Sequence, residues 1–414
     1  DGPERYYLEQ VAQGRDDYYA GDGEEPGQWA GSGAADLGLA GRVDDEGFTR
    51  LLQSRDPAGG GELRRPVRDR AVAGYDLTFR APKSVSIVWG TCDDVVRREI
   101  RAAHDHAVSA ALGYLEREAC RARRGRNGVD QVRGGGFVAA AFGHRSSRAG
   151  DPLLHTHVVV GNLTQGPDGR WTALDGRHLY RHAKTAGFLY QAELRSELTR
   201  RLGLEFGPVR EGSTDLAGVP RPVVEHFSQR RAETVEHMAE HGGRSTRSAQ
   251  VAALETRRAK QAVAVDHLRE RWRARAAEQG LGWIERERLL AASGGARRAE
   301  APVRPAELLD ALTRDASMFT RRHVLQALAV STRAGATVMS SIPRSCTFSA
   351  TGKDSIWPDG LRPTIIESSC ENLTYFSSII SLPPKYRYAF STSASDFITK
   401  FPRPSYESSV AFST

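Results

Sequence analysis

Two histidines separated by one residue lie inside an apolar, β-branched run, His155-Thr156-His157 within residues 153–164. Because side chains alternate between the two faces of a strand, both imidazoles project from one face and Thr156 from the other. An earlier apolar run, 136–144, ends at His144, and turn-forming residues separate the two runs. The pattern predicts an antiparallel hairpin with three imidazoles on one sheet face.

This hairpin makes His144, His155 and His157 candidate metal ligands. A turn centred near residue 150 predicts that His144 lies opposite Thr156. Three neutral imidazoles leave coordination positions open for water or substrate, which is typical of catalytic metal sites. Imidazoles fit Mn, Zn, Ni or Co, while substrate phosphates could recruit Mg. The cupin barrel also carries paired strand histidines, but it expects a glutamate shortly afterwards, and Val158-Val159-Val160-Gly161 follows here.

The elements around the hairpin predict an α+β domain, an antiparallel sheet with flanking helices. A strand is predicted over Tyr75–Phe79, with Asp76 and Thr78 on the face opposite its apolar side chains. Amphipathic helices are predicted over 93–123 and 179–202, the second ended by Gly203. A purely helical appendage follows from 222 to 280.

Charge points to a polyanionic partner. The net charge is +7 with a pI near 9.3. Within the appendage, residues 257–275 hold seven basic and two acidic side chains. This run is a candidate clamp for a phosphate backbone, with a solvated helix face as the alternative. No apolar stretch approaches the roughly 20 residues of a membrane span, and no secretory signal is recognisable, so a cytoplasmic protein without membrane insertion is predicted.

Two tyrosine pairs, Tyr6-Tyr7 and Tyr18-Tyr19, lie in polar sequence near the start of the chain. Their polar surroundings argue against full burial and leave the hydroxyls available. Tyrosine can act as a covalent nucleophile, but its pKa near 10 means that it needs a base and a cation-polarised electrophile. A histidine-bound metal would supply that polarisation at a phosphate. The other histidines, such as His104, His106, His178, His182, His226 and His237, are predicted to be structural.

Three segments together resemble MobF-type conjugative relaxases of the HUH endonuclease superfamily, over residues 1 to about 290. They are 76–86 (DLTFRAPKSVS), 151–159 (DPLLHTHVV) and the spaced tyrosine pairs. The resemblance implies the HUH relaxase fold and a metal-assisted enzyme that nicks single-stranded DNA at an origin of transfer through a 5′-phosphotyrosyl intermediate. It also implies Mg or Mn as the working metal, with Zn, Ni or Co as alternatives, and other conjugation proteins as partners.

The resemblance also assigns roles to individual residues. It implies that Tyr6 makes the first nick and that Tyr18 serves the later strand transfer, with Tyr7 and Tyr19 as the second members of the catalytic pairs. The metal ligands would be His144, His155 and His157. Asp76 matches the family's acidic residue, which assists the tyrosine and orients a metal-binding histidine.

The expected organisation has four parts: a catalytic core over 1–215, a helical DNA clamp over 216–295, a linker over 296–331 and an atypical tail over 332–414. The tail is expected to be disordered or frame-shifted and to lie outside the fold. Family members carry a short strand before the first tyrosine pair, so one sheet strand is expected to be missing here. Ser317–Leu325 resembles the lead-in to a helicase, but no Walker A motif follows, so no helicase is expected.

Two alternatives to the relaxase function stay open. One is an HUH rolling-circle replication initiator or transposase, and the other is a DNA-binding remnant that no longer cleaves.

Overall fold

The computed structural model describes residues 26–64, 72–147, 149–241, 265–292 and 320–332, with isolated residues and short strands elsewhere at 308, 312, 334–335, 348–349, 364–365 and 398–402. The two tyrosine pairs lie outside the described residues. So does most of the segment 332–414.

A five-stranded antiparallel sheet forms the centre of the molecule. Its strands are β1 (Gln28–Ala30), β2 (Val72–Arg80), β5 (Ala139–Ser146), β6 (Pro152–Gly161) and β11 (Ile398–Pro402), in the spatial order β1-β5-β6-β2-β11. Three two-stranded ladders accompany it: β3 (Arg121–Arg124) with β4 (Asp130–Arg133), β7 (Thr164–Gln165) with β8 (Trp171–Thr172), and β9 (Phe348–Ser349) with β10 (Thr364–Ile365). The predicted α+β class with an antiparallel sheet is confirmed.

The helices are α1 (Ser32–Asp36), α2 (Asp45–Leu52), α3 (Lys83–Thr91), α4 (Asp94–Ala119), α5 (Gly176–Leu202), α6 (Arg221–His226), α7 (Gln229–Glu240), α8 (Val265–Glu278), α9 (Trp283–Ala292) and α10 (Arg321–Ser331). The long helices α4 and α5 pack against each other and share the main core with Tyr75, Leu77 and Phe79 of β2. Alternation along β2 therefore buries one face under helices and presents Asp76 and Thr78 on the other.

Local sequence signals explain where most of these elements begin and end. The Asp93 side chain accepts the Val95 and Val96 N–H groups and so caps α4. Gly203, at φ 67°, ends α5 in the left-handed conformation that glycine tolerates best. The helix predicted to reach residue 123 stops at Ala119 instead, because Arg121–Arg124 pair with β4.

The helical appendage shares the core of the sheet domain. The first part of this predicted appendage forms two helices, α6 and α7, with an interruption at Phe227 and Ser228 between them. Phe227 is buried, and Arg275 of α8 lies 4.5 Å above its ring. Trp272 and Ala276 of α8 belong to the same buried cluster as the sheet and its helices. The expected boundary at residue 215 is therefore not a break in packing.

Two expectations for the C-terminal part need correction. Part of the predicted linker, 296–331, is helix α10, whose Leu325 and Ala329 join the main core. Within the predicted tail, Ile398–Pro402 form β11, which pairs with β2. The edge of β2 has unpaired N–H and C=O groups that can hydrogen-bond to another strand. For the rest of 332–414, exclusion from the fold stays a prediction. No helix among the described residues has both the length and the apolar character that a bilayer crossing needs.

Candidate metal centre

Three buried imidazoles converge on the sheet face opposite α4 and α5. The ring centroids are 5.1 Å apart for His144 and His155, 4.9 Å for His144 and His157, and 5.2 Å for His155 and His157. One nitrogen from each ring lies within 4.8 Å of the others. These nitrogens are close enough to share one ion, and three imidazoles are a donor set that divalent transition metals accept.

The hairpin register differs by one residue from the prediction. His144 lies opposite His155 rather than opposite Thr156, because the register shifts between His144 and Ser146 near the turn. Directly opposed residues in an antiparallel pair share a face. This register therefore places His144 on the same face as His155 and His157, whereas the predicted register would have placed it with Thr156.

The carboxylate of Asp76 contacts the third imidazole from the neighbouring strand. Nδ1 of His157 lies 2.8 Å from Oδ2 and 3.0 Å from Oδ1 of Asp76. The Thr78 hydroxyl lies 3.2 Å from the same nitrogen and 3.4 Å from Asp76 Oδ1. An imidazole N–H that donates to a carboxylate leaves Nε2 as the metal-binding nitrogen. The alternation along the strand predicts this face for Thr78, but it does not predict a role in the site.

His155 is held in a similar way by the backbone. Its Nδ1 lies 2.9 Å from the Leu153 carbonyl oxygen, which accepts the N–H and leaves Nε2 for a ligand role. Burial holds the pKa of His155 well below its usual value of 6.5, and the neighbouring His157 and His144 lower it further. His155 is therefore neutral at physiological pH, which is the protonation state that a metal ligand needs.

The residue between the two strand histidines is held from behind the sheet. The Thr156 hydroxyl lies 2.8 Å from Nε2 of His104 on α4. Nδ1 of His104 in turn lies 2.8 Å from the Tyr190 hydroxyl on α5. All three side chains are buried, and burial lowers the pKa of His104 to about 3. This neutral chain of hydrogen bonds sets the position of β6 between its two candidate ligands.

The hairpin turn is fastened to the helical appendage. The buried carboxylate of Asp151 accepts from Arg275 of α8 at 3.1 Å and from the Gln229 N–H of α7 at 3.1 Å. The Trp272 indole donates to the Gly150 carbonyl at 2.7 Å. Lys83 donates to the Pro152 carbonyl at 3.0 Å. Sequence periodicity gave no sign of these contacts, because each joins elements that are distant in the chain.

The structure thus brings together four of the eight predicted site residues, namely Asp76, His144, His155 and His157. The other four, Tyr6, Tyr7, Tyr18 and Tyr19, lie outside the described residues. What each residue does in a reaction stays a prediction at this point.

Comparison with known proteins gives consistent matches over the first two thirds of the chain. The family model of the TrwC relaxase matches residues 1–279. The multifunctional conjugation protein TraI of Escherichia coli is 38% identical over 260 residues, which are 60% of this chain and 14% of TraI. TraI from strain K12 is 37% identical over the same length. The chain therefore matches only about 14% of the length of these curated relatives.

Solved structures of the conjugative relaxase TrwC share the fold. A metal-free complex of TrwC with oriT DNA superposes with a TM-score of 0.59 at 36% identity, covering 66% of this chain and 96% of that one. A metal-bound complex gives a TM-score of 0.60 at 35% identity with the same coverage. A copper-bound complex gives 0.59 at 36% identity, again covering 66% of this chain and 96% of that one.

Proposed function

The chain belongs to the TrwC relaxase family, and we propose that it nicks one strand of DNA at an origin of transfer and stays joined to the 5′ end through a tyrosine. The observation that carries this proposal is the cluster of three buried imidazoles on one sheet face, with the Asp76 carboxylate 2.8 Å from His157. The relatives agree with it, since TrwC has been solved in complex with oriT DNA.

His144, His155 and His157 would hold one divalent cation, whose charge would stabilise the negative charge that develops on the scissile phosphate. The imidazoles alone fit Zn, Ni, Co or Cu, and one TrwC structure is copper-bound. Oxygens of the substrate phosphate would add the hard ligands that Mn and Mg prefer. We therefore propose Mn or Mg as the working metal, with Zn, Ni or Co as alternatives.

The proposed reaction is a transesterification. The Tyr6 oxygen forms a bond to phosphorus while the bond from phosphorus to the 3′ oxygen breaks, in line with the attack. The phenolic proton is lost with the assistance of the Asp76 carboxylate, and the 3′ oxygen gains a proton and leaves as a hydroxyl. The phosphotyrosine conserves the phosphodiester bond energy, so no external energy source is needed. Tyr18 would act in the later strand transfer, with Tyr7 and Tyr19 beside the two nucleophiles.

The region 216–295 is proposed as the DNA clamp, but some of its arginines also have structural partners. Arg269 donates to Asp94 at 2.9 Å, Arg273 to the Thr91 carbonyl at 3.0 Å and Arg275 to Asp151 at 3.1 Å. These contacts hold α8 against α3, the start of α4 and the hairpin of β5 and β6. The contacts of these arginines would therefore fix the DNA-binding helices relative to the proposed metal site.

A covalent-adduct assay tests the proposal. Single-stranded oligonucleotides tiled across the DNA that flanks the gene are incubated with the full chain and Mn²⁺, with and without chelator. One oligonucleotide should be cut into a released fragment with a free 3′-hydroxyl and a second fragment attached to the protein through its 5′ phosphate, and chelator should prevent this. Mass spectrometry should place the adduct on Tyr6, and Tyr6→Phe should abolish it, because phenylalanine keeps the ring and removes only the nucleophile.

The same assay separates the alternatives. Binding without any adduct would favour a DNA-binding remnant. Cleavage at a replication origin or a transposon end, but not near transfer genes, would favour the rolling-circle or transposase reading. For a relaxase, we propose a cytoplasmic setting and other conjugation proteins as partners, since TraI is a conjugation protein.

A further inference from the structure

A second histidine pair lies at the C-terminal end of α7, away from the sheet. His237 and His241 are four residues apart, one helical turn, with Glu240 beside them. Their ring centroids are 4.1 Å apart at an interplanar angle of 31°. One ligand atom from each of the three side chains lies within 4.8 Å of the other two. The three donors therefore converge on one face of the helix end.

The hydrogen bonding of His241 suits a ligand. Its Nδ1 lies 2.8 Å from the His237 carbonyl oxygen, which accepts the N–H and leaves Nε2 with its lone pair. Metal-binding histidines commonly donate their second ring N–H to a backbone carbonyl in this way, which fixes the tautomer. His241 and Glu240 are exposed and His237 is half-buried, so an ion can reach all three from solvent.

The surrounding charge favours a cation. Glu236 lies one turn before Glu240 on the same helix, and the C-terminal end of a helix carries partial negative charge. Two imidazoles and a carboxylate are a donor set for Zn²⁺, Ni²⁺ or Cu²⁺. Histidines with the spacing H-x-x-E-H also bind zinc in one class of metallopeptidases. The sequence prediction that His237 is structural overlooked His241 one turn later.

We propose that His237, Glu240 and His241 form a second transition-metal site, separate from the imidazoles of the sheet face. The site takes Zn²⁺, Ni²⁺ or Cu²⁺ from solution and joins the last turn of α7 to the residue that ends it. The chain then binds two such ions, and only the one on the sheet face belongs to the proposed nicking site. The second site does not depend on nicking.

Calorimetric titration with Ni²⁺ tests the proposal on the full chain after chelator treatment. The wild-type chain should bind two equivalents. His241→Ala should lose one of them, and so should the triple variant His144→Ala/His155→Ala/His157→Ala, because each change removes a different site. The four substitutions together should abolish binding. His267→Ala is the matched control, since His267 is an exposed histidine on α8 with no second histidine one turn away. It should keep both equivalents.

Cu²⁺ electron paramagnetic resonance gives an independent measurement in the triple variant. One bound Cu²⁺ with nitrogen ligands is expected there, and its spectrum should lose nitrogen coupling when His237 or His241 is replaced by Ala. Circular dichroism should show unchanged helix content, because the side chains are largely exposed. Loss of all binding in the triple variant, or a remaining equivalent there that survives His237→Ala and His241→Ala, would overturn the proposal.

Discussion

The Asp76 carboxylate reaches diagonally across the pairing of β2 with β6 to lie 2.8 Å from Nδ1 of His157. Asp76 is paired with Val159 and Thr78 with His157, so two polar side chains of β2 border one imidazole of β6. The carboxylate accepts the ring N–H and so fixes both the tautomer and the ring orientation. The proposed metal site therefore depends on a residue that does not itself need to touch the ion.

Replacing that carboxylate should weaken metal binding. Asp76→Asn keeps the size of the side chain but removes its charge, and loss of such an outer partner typically lowers metal affinity by about 10–100-fold. Mn²⁺ titration in a His241→Ala background measures the sheet-face site alone. Thr78→Val is the control, because it removes only a hydroxyl 3.2 Å from the same nitrogen, and it should cost less. Equal affinity for Asp76→Asn and wild type would contradict the assignment.

The buried His104 predicts acid sensitivity of the metal-free fold. Burial lowers its pKa to about 3, whereas an unfolded chain binds the proton near pH 6.5. The unfolded state therefore holds more protons between these values, and the free energy of unfolding should fall as pH drops below about 6.5, by up to about 1.4 kcal/mol per pH unit for one group. His155, whose pKa is also lowered by burial, adds in the same direction.

Urea unfolding from pH 7 to pH 4.5 in chelator measures this slope. His104→Gln should reduce the slope, although it also lowers the absolute stability because the bridge from Thr156 to Tyr190 is lost. His267→Gln is the control, because it removes an exposed histidine of α8. If both variants titrate alike, the acid sensitivity arises elsewhere.

The face of the metal site could be predicted from sequence because alternation along a strand is a local property. The faces can be assigned from two patterns. One is the pair of histidines in an apolar run, and the other is an aspartate that alternates with Tyr75 and Leu77 along one strand. The register of the hairpin could not be predicted, since an irregularity between His144 and Ser146 depends on how the turn packs. One residue of register decided whether His144 met the other two imidazoles.

Contacts between distant parts of the chain were beyond sequence reasoning. The basic run on α8 predicts a helix that faces solvent or DNA. Arg273 and Arg275 instead donate hydrogen bonds to α3 and to the turn between β5 and β6. Composition alone does not distinguish an arginine that binds phosphate from one that binds a carbonyl. Helix α10, inside the predicted linker, was missed for a similar reason. Arg195, whose guanidinium donates to the end of α10, lies on α5.

The link between the hairpin turn and α7 and α8 predicts a loss of stability in Asp151→Asn. Asp151 offers one oxygen to Arg275 and the other to the Gln229 N–H, whereas asparagine has a single acceptor oxygen. The buried side chain of residue 151 then keeps only one of these two hydrogen bonds, and a hydrogen bond to a charged group contributes about 1.5–3 kcal/mol. The hairpin turn should also move relative to β5, which lowers Mn²⁺ affinity.

Chemical denaturation and Mn²⁺ titration measure both effects of Asp151→Asn. Asp168→Asn is the matched control, since Asp168 pairs with Arg124 in another turn but its side chain is 49% exposed. An exposed pair of this kind contributes less than about 1 kcal/mol. If the two variants behave alike, the Asp151 contacts do not support the metal site.

The docking of α10 on α5 predicts where the chain can be shortened. Arg195 of α5 is fully buried, and its guanidinium donates to the carbonyls of Ala329 and Thr332 at the end of α10 and to that of Gly212. A chain that ends after residue 335 keeps these acceptors and the apolar contacts of Leu325 and Ala329. A chain that ends after residue 319 loses the Ala329 and Thr332 carbonyls as acceptors of this buried charge, and hydrogen bonds to charged groups contribute about 1.5–3 kcal/mol each.

The shorter chain should therefore unfold at a lower urea concentration, with a free energy of unfolding lower by at least about 2 kcal/mol. The longer chain should match the full chain in stability and in nicking. Arg195→Met in the shorter chain should recover part of the loss, because it removes the buried charge that no longer has the Ala329 and Thr332 carbonyls as acceptors. Equal stability of the two truncated chains would show that α10 does not contribute to the fold, and instability of the chain ending at 335 would show that the segment containing β11 does.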